Sequence, residues 1–308
     1  MGAPARSERT TYRPGDPVDV AATLAPLQRG RRDPAQQRHG RVLWRASGFP
    51  VGPATLRLEQ IGPREVGGEA GGPGAAAAIA AVPDLLGARD EPSSFAASHL
   101  LVAELHRRSP GLRMTRTGRV LEALVPAILE QRVPGITAFG AWRYLLERYG
   151  EPAPGPASSG MRVPPDAATW ARIPEWEWHR AGVDPGRSRT ARGCAARAAR
   201  LEECTSMSGA DAARRLRIMP GVGIWTAAEV TARALGDLDA LSVGDYHLAT
   251  VVGTALVGRP LDDDGMLEIL EPYRPQRLRA IRLLEAGGGY AMVQGRGPRI
   301  TLQDHRAH

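Results

Sequence analysis

The chain contains no lysine: all 40 of its basic residues, across 308 positions, are arginine. That absence removes a chemistry, because a lysine amine is the usual nucleophile for a Schiff base with a sugar or carbonyl. Cysteine is nearly missing too. Cys194 and Cys204 stand apart, with no CxxC pair and no histidine at ligand spacing, so neither a disulfide framework nor a zinc or iron–sulfur site is expected. Aromatics make up only 5 % of the chain, so each tryptophan and tyrosine is weighed individually. No run approaches the roughly 20 apolar residues of a membrane helix, and the first residues lack the apolar core of a signal peptide. A cytoplasmic protein with no membrane contact is the expectation.

A hydrophobic fraction of 43 % over this length is enough for more than one domain. The formal charge of +7 suits a polyanionic partner, although a merely soluble surface would read the same way. Residues 41–46 and 54–61 alternate or are β-branched and are separated by turn chemistry, which predicts a hairpin. A glycine-rich stretch, 67–74, precedes an alanine-rich segment of helical character. Residues 12–95 therefore read as a small α+β unit. Beyond it, apolar residues recur three and four apart in 93–108, 117–132, 137–149, 187–203, 210–217, 225–235, 246–257, 264–270 and 276–285, which predicts helices. The division expected is 1–110 for the α+β part and its link, 111–286 for a helical part, and 287–308 for a Gly/Arg-rich, poorly ordered tail. Residues 151–160, rich in Pro, Gly and Ser, read as an exposed, mobile loop.

Two stretches carry chemistry. In residues 210–235 two helical patterns are joined by Met219-Pro220-Gly221-Val222-Gly223. Proline stops the first helix, and the glycines leave the backbone bare, so amides at Gly221, Gly223 and the first turn 224–226 can press against a phosphate. Val222 would tuck back between the helices. Arg214, Arg215 and Arg217 could extend a phosphate-facing surface; a ligand-free αα-turn with solvated arginines fits the same residues. Downstream, Asp245 follows a glycine and starts a helical pattern. An N-cap is the plain reading. A single fixed carboxylate is also what N-glycosidic cleavage needs, because the departing base leaves an oxocarbenium-like sugar. Both roles can coexist.

The pair PGVGIWTAAEV and SVGDYHL resembles the signature of the helix-hairpin-helix–Gly/Pro–Asp DNA glycosylases, in particular the branch of bacterial 3-methyladenine DNA glycosylase II. TYRPGDP resembles that branch's N-terminal part, SPGLRMTRT its interdomain link, and Leu129-Glu130-Gln131-Arg132-Val133 its intercalating loop. The resemblance implies an α+β fold: a small antiparallel sheet with helices, followed by a mostly helical, two-lobed part holding the hairpin. It implies a monomer acting on double-stranded DNA with a damaged base, which is flipped out of the stack before its glycosidic bond is hydrolysed.

Carried over by position, Asp245 would be the catalytic carboxylate. Gly221, Gly223 and Thr226 would form part of the phosphate clamp, and Gln131 and Arg132 would fill the gap left by the flipped nucleotide. Trp225, Tyr246, Glu229 and Gln276 fall at base-pocket positions, and His247 near a phosphate. No cofactor is required, but the resemblance implies Na+ or K+ on the backbone carbonyls of Arg217, Met219 and Val222. Members that also nick the strand carry a lysine directly after the hairpin; Trp225 stands there, so a glycosylase without lysine-dependent lyase activity is expected. Glu229 and Gln276 replace pocket aromatics, and Arg132 an apolar wedge, which leaves the identity of the base open. They also favour a second reading, a non-catalytic lesion-binding protein on the same fold. The cluster Trp176-Glu177-Trp178-His179 is read as core.

Overall fold

The computed structural model describes residues 7–289. Of the expected tail, residues 290–308 lie outside the described residues.

The N-terminal part is a five-stranded antiparallel sheet of β1 (Ser7–Tyr12), β2 (Gln36–His39), β3 (Val42–Phe49), β4 (Gly52–Gly62) and β5 (Glu65–Gly71), in the order β1-β5-β4-β3-β2. The predicted hairpin is β3–β4, closing where Phe49 pairs with Gly52. Alternation puts Ala54, Leu56 and Leu58 inward. There they meet Val66, Ala70 and the short helices Val20–Leu24, Ala75–Ala80 and Val82–Leu85.

The glycine-rich stretch is not a linker. Most of it is β5, an interior strand of the sheet. Its bareness has a use: a Cβ on Gly71 would come within 2.7 Å of the Gly155 Cα, so glycine lets residues 151–160 lie on the sheet. That corrects the reading of those residues as a free loop. They are anchored by two short paired strands, Glu151–Pro152 (β6) and Arg162–Val163 (β7), and Met161 is buried beside Ala46.

The rest is mostly helical, which makes the whole α+β, and it holds two large apolar clusters. The first surrounds the helix Val120–Glu130, buried almost throughout, against the helices Gly135–Tyr149, Pro185–Ala195 and Ile224–Val230. Each fully buried leucine or isoleucine there, such as Leu124 or Ile128, contributes about 1.5–3 kcal/mol. The orphan amides at its start, those of Val120 and Leu121, donate to the Glu202 carboxylate at 2.9 and 2.8 Å. The second cluster joins the helices Leu100–Arg108, Leu248–Val257, Asp263–Leu270 and Arg277–Ala286.

Three predicted helices are interrupted: the one over 93–108 is a 3-10 turn at Pro92–Ser94 and an α-helix only from Leu100 to Arg108. The one over 187–203 becomes Pro185–Ala195 and Ala198–Glu202, and the one over 225–235 runs as α-helix to Val230 and then widens into a π-turn over Thr231–Leu235. Trp178 and Glu177 are core residues, but Trp176 is exposed beneath the Arg180 guanidinium. Among the described residues no helix is long and apolar enough to cross a membrane.

Candidate functional site

Four chain segments converge on one groove: the end of the helix Val120–Glu130 with the residues after it, the start of the helix Pro185–Ala195, the hairpin after the helix Gly209–Leu216, and the turn before the helix Leu248–Val257. The hairpin is shaped by two features of its sequence. Gly221 has φ +84°, and an added Cβ would sit 2.0 Å from Thr190 Oγ1, so only glycine brings the tip this close to the helix Pro185–Ala195. Val222 is buried in the first apolar cluster, and its amide donates to the Met219 carbonyl at 3.0 Å.

The turn ahead of Asp245 uses Gly244 at φ +85°, whose amide donates to Asp263 Oδ2 at 3.0 Å. Asp245 itself is half-buried and held by three donors. Its Oδ1 accepts the amides of His247 and Leu248 at 2.9 and 3.0 Å, and its Oδ2 accepts the Trp225 indole N–H at 3.1 Å. The helix itself starts at Leu248 with His247 at the cap position, which corrects the reading of Asp245 as the N-cap; its carboxylate instead fixes the turn ahead of the helix.

Asp245 also marks a junction. On one side lies the groove, bordered by the hairpin, Gln131, Arg132, Trp225, Tyr246 and His247. On the other lies a pocket of about 70 Å3, walled by Met114, Glu229, Arg233, Ser242, Leu248 and Ile281 among others. Among the described residues Asp245 alone lines both.

Glu229 is braced at the pocket wall. Its Oε2 lies 2.7 Å from the Arg233 guanidinium, and its Oε1 accepts the Ser242 hydroxyl at 2.5 Å. Arg233 belongs to the π-turn and also donates to the Pro26 carbonyl at 3.0 Å, so the N-terminal part helps to build the pocket. Behind it, Arg29 and Glu130 form a buried pair at 3.0 Å. Burial pushes the Glu130 carboxyl up and the Arg29 guanidinium down, while each partner's charge opposes the shift of the other.

The remaining predicted residues separate into those at the groove and those elsewhere. Trp225 and the exposed Tyr246 lie on the groove side, so among the described residues the pocket's lining does not include the rings expected of it. Tyr246 stands edge-on to the His247 ring. Gln276 is a correction: it lies away from the pocket, buried, where its amide donates to Ser94 Oγ at 2.8 Å and accepts from Arg279 at 2.9 Å.

The Thr226 side chain is buried at the edge of the groove, which it helps to line. Its hydroxyl accepts the Gln131 amide at 2.8 Å, and the same amide reaches the Gly221 carbonyl at 2.9 Å, which ties the loop after Glu130 to the hairpin. Arg132 is exposed at φ +55° at the groove edge. Arg214 and Arg215 pair with Asp211 and Glu203, whereas Arg217 lines the groove.

The carbonyls of Arg217, Met219 and Val222 lie along one turn and are hard neutral oxygens of the kind that suits Na+ or K+; that of Met219 already accepts one amide. Among the described residues no cluster of His, Cys, Asp or Glu has the makings of a metal site. Residue patterning missed Arg113, Met114, Ser242, Arg282 and Glu285, all at the pocket. The i,i+4 spacing of Glu229 and Arg233 was the available signal for their pairing.

No protein-family model and no curated protein matches the chain by sequence. Solved structures do match it in shape. The 3-methyladenine DNA glycosylase from Archaeoglobus fulgidus superposes with a TM-score of 0.76 over 92 % of this chain and 99 % of its own, at 15 % identity. The 8-oxoguanine glycosylase/lyase of Clostridium acetobutylicum, in its apo-form, gives 0.69 over 91 % and 97 %, at 12 % identity. MBOgg1, in complex with a low affinity DNA ligand, gives 0.72 over 94 % and 99 %, at 13 % identity. What is shared with these structures, at identities of 12 to 15 %, is the fold.

Proposed function

We propose that the protein is a DNA glycosylase of base excision repair that extrudes a damaged base and hydrolyses its glycosidic bond with the help of Asp245. One observation carries this reading: Asp245, fixed by three N–H donors, lies where the groove along the hairpin meets the pocket walled by Glu229, and among the described residues it alone lines both. A duplex lying in the groove would contact the hairpin amides of Gly221, Gly223 and Ile224 through its phosphates. Arg132 and Gln131 would enter the space vacated by the nucleotide. Once the base is in the pocket, the sugar lies beside the carboxylate, which stabilises positive charge developing on the ring and orients water for attack.

With no lysine in the chain, water is the nucleophile in this proposal and the product is an abasic site. The hairpin carbonyls would hold a monovalent cation that adds to the local attraction for phosphate. The braced carboxylates at the pocket favour catalysis over a non-catalytic lesion-binding role, because that role needs no oriented acid at the junction. The test is release of free bases from methylated and deaminated duplex DNA. Wild type releases base; Asp245→Asn loses release by about a hundredfold or more and still binds duplex. Equal release by the two proteins would refute the assignment.

A further inference from the structure

Polar side chains at the pocket make hydrogen bonds within the protein, and Glu229 keeps acceptor capacity beyond them. Each of the three arginines donates within the protein. Arg113 donates twice to the Pro17 carbonyl at 3.0 and 2.8 Å. Arg233 donates to the Pro26 carbonyl and to Glu229, and Arg282 to Glu285 and, at 3.2 Å, to the Ala22 carbonyl. Two of the pocket hydroxyls do the same: Thr115 donates to the Leu85 carbonyl at 2.8 Å, and Ser242 donates to Glu229.

Glu229 receives one donor on each oxygen, and a carboxylate has about four acceptor positions in all. It keeps capacity to accept and has nothing to donate. The faces a flat ring would meet are aliphatic, from Met114, Ala232, Ala240, Leu248, Leu278 and Ile281, with no aromatic ring among the described lining residues. A base in this pocket is therefore distinguished by its edge.

We infer that Glu229 is the specificity-determining residue of the site, selecting bases whose edge carries N–H donors, above all an exocyclic amino group. A deaminated counterpart offers a carbonyl at that place, and two acceptors then face each other with nothing between them. Arg233 and Ser242 are the positioning partners that keep the carboxylate in place. The inference rests on the glycosylase reading and adds the class of base to it.

The experiment measures kcat/KM for release of 3-methyladenine and of hypoxanthine from duplex DNA, with the released bases identified by mass spectrometry. The readout is the ratio of the two, which cancels general losses of activity. In Glu229→Gln, whose amide can donate as well as accept, the preference for the amino-bearing base falls by about tenfold to a hundredfold relative to wild type. Glu229→Asp keeps the charge that pairs with Arg233, withdraws the carboxylate by one methylene, and lowers the ratio in the same direction.

A wild-type ratio preserved in both variants overturns the inference while leaving the glycosylase reading intact. Failure of the wild-type protein to release any base overturns the glycosylase reading, and this inference with it.

Discussion

Replacing Trp225 with phenylalanine isolates one bond of the site. The substitution keeps a ring against the first apolar cluster, where Trp225 is half-buried, and deletes only the indole N–H that reaches Asp245 Oδ2 at 3.1 Å. The two amides on Oδ1 remain, so the carboxylate is loosened and not released. A hydrogen bond to a charged group is worth about 1.5–3 kcal/mol. Because Asp245 opens onto the groove, the lower end of that range applies. At about 1.4 kcal/mol per factor of ten, base release slows by about ten- to thirtyfold.

The assay is single-turnover release from a fluorescent duplex carrying one lesion, with the abasic product cleaved by alkali. Duplex affinity, followed by anisotropy, stays within about twofold of wild type, since uncharged Trp225 contributes little to the phosphate attraction. An unchanged release rate in Trp225→Phe, in a protein that Asp245→Asn inactivates, would show that orientation of the acid by the indole is irrelevant.

Other consequences follow from backbone and burial. Gly221→Ala meets both a positive φ, costing about 1–2 kcal/mol, and the Thr190 side chain, so its Tm falls by at least about 3 °C and duplex binding weakens. Gly223→Ala, with φ −91° and nothing within 4 Å of an added Cβ, melts close to wild type; equal losses in calorimetry for the two would contradict the account of the hairpin tip. Burial pushes the Cys194 thiol up to about 12, and it raises that of Cys204 as well. Neither thiol reacts with iodoacetamide at pH 8 until the protein is unfolded. The neutral buried thiols therefore support the fold fully below the unfolded thiol range near 8.5 and progressively less as pH rises from there toward the folded values, which a pH series of melting curves detects.

Much of the architecture is legible in local pattern, and the exceptions have physical reasons. The β3–β4 hairpin and the hairpin at Gly221 declare themselves because turn chemistry and periodicity change within a few residues. The strand Glu65–Gly71 does not, since glycine is a poor strand former; what holds it is the pairing with β1 and β4 and the close approach of residues 151–160, both remote in sequence. Asp245 and Glu229 were findable from motif position. Gln276 was misplaced because position along a motif says nothing of which way a side chain turns, and here a buried arginine, Arg279, draws it away. Arg113 and Arg282 were invisible for the same reason in reverse: the first comes from the link after the sheet and the second from the helix Arg277–Ala286. Only the tertiary fold brings them to one pocket.

The most direct measurement is the structure of Asp245→Asn bound to a duplex bearing a single alkylated base. The account predicts the damaged nucleoside out of the stack, its base bounded by Glu229 and Leu248, its sugar carbon next to residue 245, and a strand phosphate on the hairpin amides. A lesion left in the helix, or a duplex held on another face of the protein, would contradict it.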